Sequence, residues 1–354
     1  MVALDASSLM GDRGAQARVT MLALMAALLL TGLLSLSHGA SGVSLWSLIE
    51  ALTSGQAMPD RDRLILWEIR LPRMLTGVLV GASLAVAGAV MQGLFRNPLA
   101  DPGLVGVGAG AGLGAVVAIV LGGLAPLWLT QAVGYHLVPL AAFLGGWAST
   151  LVLYRVATRS GRTSVATMLL AGIALGALAG AATGVLVYIA DDRQLRDLTF
   201  WGLGSLGGAS WPKLLAAGPV MALALVAAPF LARGLNGLAL GEAAAHHIGL
   251  PIQRVKAVAI LTVAAATGAA VAVAGGIGFI GIVVPHLLRL ATGPDHRFLL
   301  LNAGLAGATL LLLADLIARS IIAPAELPIG IVTATLGAPV FLWILLRRRG
   351  LVDL

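Results

Sequence analysis

Cysteine is absent from the 354 residues, which rules out disulfides and any thiolate metal centre. Charge is scarce: Asp, Glu, Lys and Arg make up 10% of the chain, against roughly 25% in a soluble domain. Lysine occurs only at 213 and 256, and neither follows a GxxxxG, so the chain has no phosphate-binding loop with which to burn ATP itself. No paired nucleophile and base, and no cluster of metal-ligating side chains, stands within an apolar run. The chain therefore reads as a non-enzyme.

What remains is apolar. Hydrophobic residues make up 59% of the chain and the mean hydropathy is +0.99. Forty-six glycines would be poor material for soluble helices. In lipid, small residues let helix backbones approach closely where no hydrophobic drive exists. Apolar runs fall at residues 19–37, 74–95, 105–124, 138–154, 165–190, 214–231, 255–275, 277–290, 298–318 and 329–346. Most are long enough to cross a hydrocarbon core of about 30 Å as helices. The fold class is all-α, a polytopic membrane protein of about ten spans. Run 277–290 is short and follows Gly275, Gly276 and Gly278, which suggests a bent hairpin with its neighbour. The first run, preceded by Arg13 and Arg18, also has the layout of a cleavable signal.

The net charge of +7 is explained by topology and needs no nucleic acid. With the N-terminus cytoplasmic, fourteen of the 22 basic residues fall on the inner side, as the positive-inside rule requires. Residues 1–18 and 347–354 are then cytoplasmic tails around one permease domain, 19–346. The eight outer basic residues include Arg70, Arg73, Arg193, Arg196, Lys213 and Arg319. Two connections are long enough to fold. The outer one, 191–210, carries Leu195, Leu198 and Trp201 at helical spacing and ends in glycines, so it predicts a short helix at the outer mouth. The inner one, 232–254, predicts a short surface helix at Glu242 to Ala245 between Gly241 and Gly249.

Ion-driven carriers keep Asp, Glu or His within their spans. Here the one well-embedded charge is Asp315, with Arg319 one turn later to neutralise it. A transporter's architecture without an energy source points to a partner that supplies the energy. A carrier or channel acting alone would need an intramembrane ion site that the sequence does not display.

The motifs RLPR (70–73), LVGASLAVAGAVMQGLFRNPLADPGLVGVGAGAG (79–112), LALGEAAAHHIGL (238–250), FIGIVVPHLLRLATGPDHR (279–297) and ADLIARSIIAPAELPIGIVTATLGAP (314–339) together resemble the FecCD-type permeases. These are the cobalamin-importer-like membrane subunits of ATP-binding-cassette importers for haem, iron siderophores and cobalamin. The likeness covers residues 64–350. It implies a homodimer in the bacterial inner membrane, two cytoplasmic ATPases that hold ATP and Mg, and a periplasmic binding protein. It implies no permanently bound cofactor or metal.

Residue by residue, the resemblance gives Arg70, Arg73 and Arg319 to docking of acidic groups on the binding protein. Lipid anchoring, or for Arg319 pairing with Asp315, is the alternative. Gly241, Glu242, Ala245 and Gly249 fall to coupling with the ATPase, where Glu242 would pair a basic residue. His246 and His247 suggest haem or metal ligation but belong to the cytoplasmic surface. Asn97, Pro98 and Leu99 of RNPLADP match the turn that closes the inner end of the pathway, or form a plain turn, and 155–167 is a second inner gate. The segment YIADDRQLRDLTFWGLGSLGGASW (188–211) is most similar to haem permeases of the family. Arg196 then lines the pathway for an anionic ligand, haem or a ferric chelate, unless it pairs with Asp192 or Asp197. Met91 and Met168 are either soft contacts to a macrocycle or core.

Overall fold

The computed structural model describes residues 13–39 and 59–347, so the terminal tails and 40–58 lie outside the described residues except for Arg13 to Arg18. Helices dominate, and their order is α1 (Arg13–Ser37), α2 (Asp60–Leu64), α3 (Leu71–Phe95), α4 (Val107–Leu121), α5 (Leu127–Val133), α6 (Leu137–Ala157), α7 (Val165–Ile189), α8 (Asp192–Leu203) and α9 (Trp211–Ala227). They continue with α10 (Ala232–Ala239), α11 (Glu242–His247), α12 (Ile252–Ala274), α13 (Ile280–Thr292), α14 (His296–Ser320) and α15 (Ile329–Arg347). Eight helical stretches are long and apolar enough to cross a membrane, and α13 and most of α15 are shorter apolar helices. Together they supply the ten expected spans.

Two boundaries differ from expectation. The second span does not begin near residue 74. It runs unbroken from Asp60 through a π-helical turn, Ile65–Arg70, into α3, so Arg70 and Arg73 lie within a helix and not at its start. The inner connection 232–254 forms two helices, α10 and α11, instead of one.

Helix α3 is the centre of the bundle, and from Val80 to Phe95 every residue is buried. Glycine makes this possible at two crossings. A β-carbon at Gly81 would collide with the backbone carbonyl of Gly307 on α14, and one at Gly88 with that of Gly281 on α13. The pair α4 and α6 repeats the device at Gly110 and Gly145. Helix α7, by contrast, buries only Met168, Gly172 and Ala179.

The expected break before the eighth span is present. Helix α12 stops at Ala274, Gly275 turns at φ +71°, Phe279 takes φ +67°, and α13 restarts at Ile280. A second irregularity was not expected. The segment after α3 does not stay at the inner surface, because the side chains of Asp101 and Pro102 reach Gly281, which itself packs on Leu84 and Gly88 of α3. Leu84 is eleven residues, about 16 Å, above the Phe95 end of that helix. RNPLADP therefore re-enters the bundle.

Candidate functional site

At the end of the bundle expected to face outward, Arg73 extends into a carboxylate cage. Its Nη2 lies 2.8 Å from Asp315 and its Nη1 2.7 Å from Glu326. Asp315 is 1% exposed, so burial without a cation would be costly, and the planar guanidinium supplies several donors at once. Arg319 stands farther from Asp315, at 3.6 Å, and donates to the Ser35 carbonyl at 3.0 Å. Arg70 donates to the Leu36 carbonyl on α1. The expected i,i+4 pair of Asp315 and Arg319 is thus present, but Arg73 joins it and takes the closer bonds. The expectation of outward display is corrected: all three arginines are at most 9% exposed. Glu326, half-exposed beyond α14, is the part of this network that meets solvent. Arg73 donates to its carboxylate and holds its pKa below the ordinary range.

The same end carries α8. Its start is a reciprocal capping box, in which the Asp191 side chain accepts from the Gln194 amide at 2.8 Å and Gln194 accepts back at 3.0 Å. Gln194 also donates to Val120 of α4, which fixes the helix over the mouth. Since Asp191 provides the cap, Arg193 and Arg196 lie exposed, and Arg196 is bonded to neither Asp192 nor Asp197. Beside α8, Tyr135, Phe200, Trp201 and Lys213 line a groove of about 290 Å³. Lys213 donates to the Gly208 carbonyl at 2.9 Å and has no carboxylate partner among the described residues. The sequence had offered Lys213 only as one of the outer charges; its aromatic neighbours come from separate helices and could not be grouped beforehand.

At the opposite end, α11 lies where the coupling segment was expected. Gly241 at φ +103° and Gly249 at φ +78° bracket it, conformations that other residues adopt only under strain. Ala245 is fully buried and packs inward, whereas His246 and His247 are exposed. Among the described residues no group of three metal-ligating side chains occurs. Glu242 is not free to meet a partner's cation. It accepts from Lys256 at 2.8 Å, and the same ammonium donates to the Thr163 carbonyl at 2.8 Å. Thr163 belongs to a two-stranded hairpin, β1 (Thr158–Arg159) and β2 (Arg162–Thr163), within the 155–167 connection. The Gln253 side chain bonds the Thr163 amide from the other side. One buried lysine thus ties α11 to the hairpin that leads into α7.

The RNPLADP turn starts with Arg96 at φ +50°, and the Asn97 side chain accepts from the Leu99 amide at 2.9 Å. Pro98 lines a small cavity with Gln92, Arg289 and His296. Leu99 is half-buried beside it. Met91 and Met168 are fully buried and belong to the core.

Comparisons with known proteins agree with this arrangement. The model of the FecCD transport family matches residues 27–347. The hemin transport system permease HmuU of Yersinia pestis is 46% identical, over 92% of this chain and 96% of its own. The vitamin B12 import permease BtuC of Escherichia coli (strain K12 / DH10B) is 45% identical, over 92% of this chain and 94% of its own. A solved metal-chelate type ABC transporter in an inward-facing conformation superimposes with a TM-score of 0.80 at 32% identity, covering 92% of this chain and 98% of that one. With ten apolar helices, a helix over one mouth, a short helix at the other and matches across nearly its whole length, the chain belongs to the FecCD transport family, as a permease subunit of an ABC importer.

Proposed function

We propose that this permease carries haem, or a closely related anionic iron chelate, inward across the bacterial inner membrane. In this reading it works as a homodimer with both termini cytoplasmic. Two ATPase subunits bind at α11 and supply ATP and Mg, and a periplasmic binding protein delivers the ligand at the α8 end. Identity alone does not select the ligand, because haem and vitamin B12 relatives match almost equally. The observation that favours haem is the outer groove. Lys213 lines it with Tyr135, Phe200 and Trp201, and exposed Arg196 lies one helical turn before Phe200 on α8. Such a surface suits a planar macrocycle with carboxylate arms, which aromatic rings stack and cations steer.

Docking follows from the same end. An acidic side chain of the binding protein would take the place of half-exposed Glu326 on Arg73, with Arg70 and Arg319 holding the frame. At the inner end, Asn97, Pro98 and Leu99 would close the pathway, and the Lys256 tie would pass movement of α11, through Gly241, Glu242, Ala245 and Gly249, to α7.

The test is ATP-dependent uptake into vesicles supplied with the cognate binding protein, comparing haem, a ferric siderophore and cobalamin. Arg196→Ala and Lys213→Ala should each cut haem uptake severalfold while the permease still copurifies with its ATPase. Normal haem uptake by both variants, or uptake of cobalamin or the siderophore in preference to haem, would refute the assignment.

A further inference from the structure

Two arginines at the end of the bundle that carries α11 share one cavity and have no acid to balance them. The cavity, of about 200 Å³, lies between Gln92 of α3, Arg96 and Pro98 of the turn that follows, Arg289 of α13 and His296 of α14. The Arg289 guanidinium meets only neutral acceptors. Its Nε lies 3.4 Å from Gln92 Oε1, and its Nη2 lies 3.5 Å from the Ala89 carbonyl and 3.2 Å from His296 Nε2. Nη1 donates to no described residue. The Arg96 side chain is exposed and also has no carboxylate partner among the described residues. Its Nη1 reaches to 3.8 Å from where a β-carbon on Gly241 would stand.

No neighbour supplies the missing charge. Asn236 Oδ1 accepts from the His296 amide at 3.0 Å and from His296 Nδ1 at 2.7 Å. The proton therefore sits on Nδ1, Nε2 offers its lone pair to Arg289, and the ring is neutral. Asp295, next in sequence, is taken by Arg297 at 2.7 and 2.9 Å. The carbonyl end of α3 contributes about half an elementary charge, against two full positive ones. Lys256, the buried cation nearby in the fold, shows the contrast, because Glu242 meets it at 2.8 Å. Gln92 and His296 are at most 2% exposed, so Arg289 stands against a dry wall where an unbalanced charge is costly.

We propose that this cavity binds one small oxyanion of the phosphate class, held between Arg289 and Arg96. Two planar guanidinium forks match the oxygens of such an anion, and its two negative charges balance theirs. Chloride would leave one positive charge over and could not engage the forks. A free anion fits better than a lipid headgroup. Apart from the five residues above, only Gly93 and Ala239 line the cavity, so no long aliphatic side chain is present to seat an acyl chain. The bound anion would join the turn after α3 to the last turn of α13, beside Gly241 at the start of α11.

The experiment uses the full-length permease in phosphatidylcholine nanodiscs and follows its thermal unfolding midpoint in sodium phosphate, sulfate and chloride at equal ionic strength. A ligand that binds only the folded state raises the midpoint with the logarithm of concentration once the site fills, whereas salt exclusion from the surface raises it linearly. Phosphate and sulfate should give the logarithmic rise, of several degrees above chloride, and Arg289→Gln should abolish it. Arg96→Gln removes charge-assisted bonds and should weaken the apparent dissociation constant by about tenfold or more. Arg162→Gln, on the exposed tip of the 158–163 hairpin, should change neither. Equal midpoints in the three salts would overturn the proposal, as would a purely linear rise, one that persists in Arg289→Gln, or one lost in Arg162→Gln. So would a rise seen only when phosphatidylglycerol replaces phosphatidylcholine, which would assign the arginines to a headgroup. Should Arg289→Gln fail to fold, an unchanged dissociation constant in Arg96→Gln overturns it equally. None of these readings depends on which ligand is transported.

Discussion

Lys256 offers a sharp test of how α11 is held. Its side chain is 2% exposed, its partner Glu242 is 46% exposed, and its second acceptor is the Thr163 carbonyl. Glu242→Gln keeps the shape and leaves a buried ammonium without a counter-charge. Removing one partner of a fully buried pair costs about 3–5 kcal/mol, and of an exposed pair about 0–1 kcal/mol. With one partner buried and the other reached by water, about 2 kcal/mol is expected, the range of a hydrogen bond to a charged group. Lys256→Met removes the ammonium itself and fills its space with an apolar chain, so its cost should stay near 1 kcal/mol or below. The double variant should then be no less stable than Lys256→Met alone, because most of the Glu242→Gln cost belongs to the orphaned lysine. Denaturant or thermal unfolding of the purified permease measures the cycle. A parallel assay of the assembled complex should show ATP hydrolysis losing its dependence on ligand-loaded binding protein in Lys256→Met, although the permease remains folded. Strictly additive costs, or a Glu242→Gln variant as stable as the parent, would refute the reasoning.

Other expectations are simpler to state. Gly88→Ala forces α3 off the Gly281 carbonyl and should destabilise by about 1–3 kcal/mol, the range for overpacking. Gly112→Ala on α4, where an added β-carbon meets nothing within 4 Å, should cost nothing and can gain up to about 1 kcal/mol from helix propensity. A comparable loss in both would show that the crossing does not decide, since helix propensity alone favours alanine at either position. Glu326 gives a pH signature. Its pKa is depressed by Arg73, so its contribution is full above the unfolded value of about 4.3 and disappears as pH falls through the lower folded value. The stability difference between the parent and Glu326→Gln should be constant from neutral pH to mild acid and shrink below about pH 4. A difference that grows on acidification would contradict the Arg73 pairing.

Much of this was legible in the residues. Apolar runs located the ten spans, because a span must satisfy its own backbone and so must be long and continuous. The Gly275 to Gly278 cluster marked the break, and capping residues marked α8 and α11. What the sequence hid were partners chosen across long separations. Arg73 lies 242 residues from Asp315, while Arg319 is the obvious local neighbour, so a helical spacing rule found one partner and missed the closer one. Glu242 reads as free acid until Lys256 is seen folding back on it. Asp101 sits in a proline-rich turn that looks superficial, and only the climb of that turn beside α3 carries it into the interior.

The burial of α3 sets the mechanics of any transport cycle. A helix whose carbonyl edges touch two neighbours cannot slide or rotate by a fraction of a turn without prising backbones apart. It is the fixed axle of the subunit. Displacement has to be taken up by elements with few such contacts, above all α7, which is anchored at one end by the Lys256 tie and is otherwise bare along most of its length. Under the proposed coupling, force applied at α11 arrives at a lever with a stationary pivot beside it, and the hairpin between them governs its travel.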